Sequence, residues 1–298
     1  MPTPTPPAYT SFPRYLSAKQ TVDDRALHRP TWETLRARLA ALPGEEPLRF
    51  LEIGAGVGTM VERAAAWQLT PPGRNAEYRA IDNVAENITS AGQRLAGRAF
   101  PFSVKLECAE FYEFAARPGE AGRYDLILAH AVLDLLDLRR ALPVVASLLR
   151  PGGLGYFTIN FDGATLLQPE IDRPFDDAIE AEYHRTMDER ITDGQPSGDA
   201  RTGRRLFSKL SAAGWETLAA GASDWVVFGQ KGRYPADEAY FLHFIVETMH
   251  GALSLSPRLP QPAFDRWIAQ RHAQIERGEL VYIAHQVDLL AQWQERAQ

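Results

Sequence analysis

The run Glu52-Ile53-Gly54-Ala55-Gly56-Val57-Gly58 places an acid two positions ahead of three alternating glycines. Glycine at such a place lets the backbone turn sharply and pass close to a ligand, because a Cβ would block both. The stretch that follows, Thr59 to Leu69, has helical composition. A helix start offers unpaired N–H groups and the positive end of a dipole. That combination suits an anion or the polar head of a bound molecule. Histidines supply a second kind of chemistry, general-base catalysis, with His130, His184, His243 and His250 as candidates. His243, Glu247 and His250 fall on one strip of one predicted helix. Three ligands from a single helix seldom complete a metal site, and no others stand out, so no metal is expected. Arg201, Arg204 and Arg205 could clamp an anion, although a solvated helix start explains them as well.

These residues need a scaffold, and the chain spells one out. "PLRFLEIG", "AEYRAIDN", "FSVKLECAEF", "YDLILAHAVL" and "LGYFTINFDG" read as five strands. Helical stretches separate them, among them "LRRALPVVASLLRPGG", closed by a Pro-Gly-Gly turn. Alternation of this kind argues for a parallel sheet covered by helices on both faces. A sixth strand is expected within "WETLAAGASDWVVFG" and a last one in "ELVYIAHQVDLLAQW", paired with the sixth. "ADEAYFLHFIVETMHGALS" is apolar around most of a helix, which marks it as buried.

The composition is that of a globular protein, with 45% hydrophobic and 23% charged residues. A net charge of −6 offers no basic field for a phosphate backbone, so nucleic acid is not expected as a partner. Cys108 is the only cysteine, which excludes an intrachain disulfide and a cysteine-based zinc site. The Pro- and Thr-rich start lacks the basic and apolar regions of a secretory signal and reads as a disordered tail. No apolar run reaches the roughly 18 residues of a membrane span, so no membrane partner is expected and a cytoplasmic location follows by default.

Glu52-x-Gly54-x-Gly56-x-Gly58 resembles motif I of the class I methyltransferases that use S-adenosylmethionine (SAM). It departs from the dinucleotide fingerprint G-x-G-x-x-G. The likeness runs over about residues 48 to 160, through Asp82 at the second strand end, "LECAEF", "YDLILAHAVLDLLD" and "LLRPGGLGYFTI". It implies an α/β, Rossmann-like three-layer sandwich with a seven-stranded, mostly parallel sheet in the order 3-2-1-4-5-7-6 and helical inserts. One methyltransferase domain would span 1–298, with a tail and cap helix over 1–45 and substrate-side inserts over 162–205 and 230–278.

The same resemblance assigns cofactor contacts. Glu52 would lie under the methionine part, beside the turn of Gly54, Ala55, Gly56 and Gly58. Asp82, followed by Asn83, would accept hydrogen bonds from the ribose hydroxyls. Ala109 and Glu110 would meet the adenine, since Cys108 stands where an acid is common. His130 would face cofactor or substrate. Tyr15, with Arg14 and Lys19, would come from a segment that often folds over the cofactor. The implied reaction is in-line methyl transfer to a small organic molecule. An N-P-P-Y run and a Pro-Cys pair, which mark nucleic-acid methylating enzymes, are both missing. Two rival readings are an NAD(P)-dependent oxidoreductase and a SAM-binding protein without catalysis.

Overall fold

The computed structural model describes residues 9–192 and 194–294; the first eight residues of the expected tail lie outside them. Three helices come first, α1 (Phe12–Ala18), α2 (Gln20–Ala26) and α3 (Arg29–Ala40). Ser11 caps α1 through its hydroxyl, and proline occupies the first turn of α1 and of α3, where a missing N–H costs nothing. There follow β1 (Leu48–Ile53), α4 (Thr59–Ala66), β2 (Ala76–Asp82), α5 (Ala85–Leu95), β3 (Ser103–Cys108), α6 (Phe111–Ala115), β4 (Tyr124–His130), α7 (Leu138–Leu148) and β5 (Leu149–Gln168). Next come α8 (Arg173–Asp188), the two-residue strands β6 (Ile191–Thr192) and β7 (Gln195–Pro196), α9 (Thr202–Ala212), β8 (Trp215–Ala222) and β9 (Trp225–Val227). The described chain closes with α10 (Glu238–Leu253), α11 (Gln261–Glu276) and β10 (Val281–Trp293).

The chain divides into two compact units. The first takes Ala26–Gly163, Asp188–Asp224 and the chain from His285 on. Its sheet runs β3-β2-β1-β4-β5-β10-β8, the expected order with β8 as sixth strand and β10 as seventh. Pairs β2–β3, β1–β2, β1–β4 and β4–β5 are parallel, and β10 is antiparallel to β8. Cross-strand contacts Ile159–Asp288, Asn160–Val287 and Asp162–His285 run in opposite senses along β5 and β10, so that pair is antiparallel too. β4 is buried at all seven positions, as a central parallel strand covered on both faces must be. Leu51, Ile53, Ile127, Ala129 and Phe157 of the sheet pack with Leu142 and Val145 of α7 and with Leu206 and Leu210 of α9.

Two strands differ from expectation. β5 starts at Leu149, before the Pro-Gly-Gly turn, and absorbs it as a register irregularity opposite Tyr124 and Leu126. The sixth strand breaks in two at Ser223-Asp224. There the Ser223 N–H reaches the Gln286 carbonyl at 2.9 Å, and the Asp224 carboxylate turns to His285 and the Gln286 N–H.

The second unit takes the chain up to Arg25, Ala164–Met187 and Trp225–Ala284. α10 is its axis, burying Tyr240, Phe241, Leu242, Ile245, Val246, Met249 and Leu253. Glu238 is fully buried at the head of α10, where Arg25 grips it at 2.6 and 2.9 Å and Thr21 at 2.6 Å. β9 pairs antiparallel with the start of β10, Tyr282 opposite Val227. Among the described residues no helix is long and apolar enough to cross a membrane.

Candidate cofactor and active site

The glycine turn follows β1 directly, and all three glycines take positive φ, +67° at Gly54, +54° at Gly56 and +80° at Gly58. A side chain at Gly54 would meet Val132 Cγ2 at 2.4 Å, so the turn and the segment after β4 touch with no room for a Cβ. Gly58 is the N-cap of α4, and a Cβ there would press on Leu95 at 3.2 Å. Three N–H groups expected to face a ligand are engaged within the protein. Ala55 donates to the Ile81 carbonyl at 2.9 Å, Gly58 to the Ala55 carbonyl at 3.0 Å, and Gly56 to Asp82 Oδ2 at 2.8 Å. The turn thus offers close approach more than it offers donors.

Asp82 ends β2 and is 7% exposed. Its Oδ1 accepts from the Val84 N–H at 2.9 Å and from Asn87 Nδ2 at 3.0 Å, while Oδ2 takes Gly56. A carboxylate has about four lone-pair directions, so three are filled and one is left for a ligand. Asn87, itself 2% exposed, holds its Oδ1 buried without a hydrogen-bond partner. A buried acceptor of that kind is costly unless a donor arrives. These two acceptors fit a vicinal diol such as a ribose, whose hydroxyls would donate to them.

Beneath the turn, Glu52 is 1% exposed and accepts the Tyr78 hydroxyl at 2.8 Å. Burial pushes its carboxyl up to about 8, against the pull of Tyr78 and Arg63 and with a further push from Asp82. Arg63, in the second turn of α4, is 2% exposed and reaches Thr59 Oγ1 at 3.3 Å and His130 Nε2 at 3.5 Å. Arginine only donates, so His130 Nε2 meets it as the acceptor. The ring proton then sits on Nδ1 and points to Thr158 Oγ1 at 2.8 Å. Both nitrogens of His130 therefore face protein groups.

The other anticipated residues scatter. In the same unit, Asn83 is exposed and its carbonyl lies 3.9 Å from Cys108 Sγ. The Ala109 N–H donates to the Asp82 carbonyl at 3.0 Å, and Glu110 caps α6 by accepting the Glu113 N–H at 2.8 Å. Arg204 and Arg205 are tied to Asp162 and Asp199. In the second unit, Tyr15 stacks on Phe244 at 4.2 Å, Arg14 pairs with Asp237 and Lys19 with Asp23. His184 meets Thr165 Oγ1 at 3.0 Å. His243 does not stand on an open polar strip with Glu247 and His250. It is 6% exposed and shares a 2.7 Å hydrogen bond with His272, which in turn reaches Glu247 at 2.9 Å. Burial and the neighbouring His272 hold His243 down at about 4. His250 lies 3.6 Å from Glu247 and 3.7 Å from Asp265.

Sequence reasoning missed Arg63, Tyr78, Asn87, Val132 and Thr158. Only Asn87 carried a signal, as a polar residue in the first turn of the helix that follows the acid of β2. The rest come together only when the strands pair.

A family model described as a methyltransferase domain matches residues 51–154. Over 115 residues the chain is 32% identical to the highly reducing polyketide synthase stpks1 of Strobilurus tenacellus, a match covering 37% of this chain and 4% of that protein. Among solved structures it is similar to the YcgJ protein of Bacillus subtilis, with 13% identity and a TM-score of 0.49 over 90% of this chain and 100% of that one. The CurJ carbon methyltransferase is another, with 18% identity and a TM-score of 0.48 over 94% of this chain and 58% of that one. The matched segment holds the glycine turn and Asp82, and over it the chain is similar to a methyltransferase domain.

Proposed function

We propose that this chain transfers the methyl group of SAM to a small organic acceptor. The observation that carries the reading is Asp82. It ties the glycine turn to the end of β2 and still has one open lone pair, next to the orphaned Asn87 Oδ1. SAM supplies an electrophilic methyl group on a sulfonium sulfur. The chain's part is to bind and orient. Asp82 and Asn87 would take the ribose hydroxyls, and Asn83, Ala109 and Glu110 would flank the adenine. Gly54, Ala55, Gly56 and Gly58 would admit the methionine part close to the backbone, over the neutral Glu52. His130, with its tautomer set by Arg63 and Thr158, would line the pocket as a fixed wall, not as a base. Alignment of nucleophile and methyl carbon, with water kept out, accounts for most of the acceleration such a displacement needs.

The small acceptor is supported by the charge balance and by the missing N-P-P-Y and Pro-Cys motifs. Calorimetry tests the whole reading. SAM should bind the wild-type chain and NAD(P) should not, and Asp82→Ala should weaken SAM by about 1–3 kcal/mol, the cost of unmade hydrogen bonds. Equal affinity in the variant, with the fold intact by circular dichroism, would remove the assignment.

A further inference from the structure

Where β5 and β10 pair beyond the level of His130, the first unit holds a cluster that none of the assignments above includes. His285 on β10 faces Asp162 on β5, which lies four residues past Thr158. His285 Nδ1 is 2.7 Å from Asp224 Oδ1, and Asp224 also accepts the Gln286 N–H at 3.2 Å. A carboxylate only accepts, so the His285 proton sits on Nδ1 and the lone pair on Nε2. Nε2 lies 3.6 Å from Asp162 Oδ2, beyond hydrogen-bond distance. Asp162 is itself 4% exposed and held by Arg204, through Nε at 2.9 and 3.0 Å and the backbone N–H at 2.8 Å. One carboxylate therefore orients the ring, while the other is largely neutralised by an arginine. The His285 side chain is 38% exposed.

A second observation marks the same face. Asn160 shares it with Asp162, because residues two apart along a strand point the same way. Asn160 is fully buried, gives its Nδ2 to the Val287 carbonyl at 2.8 Å, and leaves Oδ1 without a hydrogen-bond partner. A base nitrogen with its lone pair outward and an orphaned buried acceptor on the same face of the β5–β10 pair call for a ligand that carries donors.

We infer that His285, oriented by Asp224, is the catalytic base for an acceptor bearing an O–H or N–H group, with Asn160 Oδ1 as a further acceptor for that molecule. The inference rests on the methyl-transfer reading. In the step, the acceptor's O–H or N–H bond breaks and its proton passes to His285 Nε2. The freed electron pair bonds the methyl carbon, and the carbon–sulfur bond breaks with its pair left on sulfur. The resulting imidazolium lies between Asp224 and Asp162 and returns its proton to water. An oriented histidine of this kind contributes about 100-fold or more to a rate.

Nitrogen-15 NMR of the full chain near neutral pH reads the first part directly. His285 should show a protonated Nδ1 and a bare Nε2, and Asp224→Asn should mix the two tautomers. A wild-type ring protonated at Nε2 overturns the inference. Turnover reads the second part, with catechol as the hydroxyl probe, benzylamine as the amine probe and iodide as an acceptor that has no proton to lose. His285→Gln should cut catechol and benzylamine turnover about 100-fold, while SAM affinity and iodide methylation change by less than about twofold. Undiminished catechol and benzylamine turnover, or an equal fall with iodide, overturns it. A wild-type chain that does not bind SAM sinks the methyl-transfer reading instead. One that binds SAM but methylates neither catechol nor benzylamine overturns the inference as well.

Discussion

At the scale of single residues, the site depends on contacts that leave no slack. Gly54→Ala would place a methyl group 2.4 Å from Val132 Cγ2 at a φ of +67°. It should destabilise the protein by about 1–3 kcal/mol in urea unfolding, and Val132→Ala should restore part of the loss. Strict non-additivity of the two changes is the informative result, since independent sites would simply add. Glu52 stood out in the sequence by its place two residues before the glycines, and Asp82 as the strand-end acid of the resemblance; the structure ties Asp82 to the Gly56 N–H. The Arg63–His130–Thr158 chain was not legible, because its members are separated by 67 and 28 positions and meet only through strand pairing. The sequence placed His130 toward cofactor or substrate and as one of four candidate bases; in the structure its two ring nitrogens meet Arg63 and Thr158. His285 drew no notice, since neither carboxylate beside it is a sequence neighbour.

At the scale of elements, Asp288 joins three pieces. Fully buried on β10, it accepts the His28 N–H at the head of α3 and the Ile159 N–H on β5, both at 2.8 Å. Ile159 has a φ of +55°, a conformation a β-branched residue avoids unless its surroundings enforce it. Asp288→Ala would strand two backbone donors and should lower stability by about 2–5 kcal/mol, measured by chemical denaturation. Asp288→Asn keeps an acceptor and should lose less. The parallel, helix-covered sheet was readable from alternation, and its strand order came from the family resemblance carried by the glycine turn, Asp82 and the Pro-Gly-Gly run. The break of the sixth strand at Ser223-Asp224 was not readable, because side-chain hydrogen bonds to β10 decide it. Nor was the early start of β5, where pairing with β4 overrides a Pro-Gly-Gly sequence that reads locally as a turn.

At the scale of the whole molecule, the two units carry buried ionisable groups with opposite pH responses. Glu52 has a folded pKa of about 8 against 4.5 for a free side chain. Its contribution is complete below about pH 4.5 and is lost as pH rises through about 8. His243, held at about 4 against 6.5, contributes fully above 6.5 and loses that as pH falls through about 4. Melting curves across this range should show Glu52→Gln flattening the alkaline decline and His243→Asn the acid one. A steep acid decline that survives in His243→Asn would assign it to other groups. The place of β10 in the sheet has a consequence for how the chain is made. It follows both β5 and β8 in the chain, yet it lies between them and brings Asp288 with it. While the ribosome works through the preceding residues, β8 has no strand to pair with and the Ile159 N–H no carboxylate to meet. The nascent sheet therefore carries an open edge until β10 emerges, which is the interval in which a chaperone or a neighbouring chain could claim it.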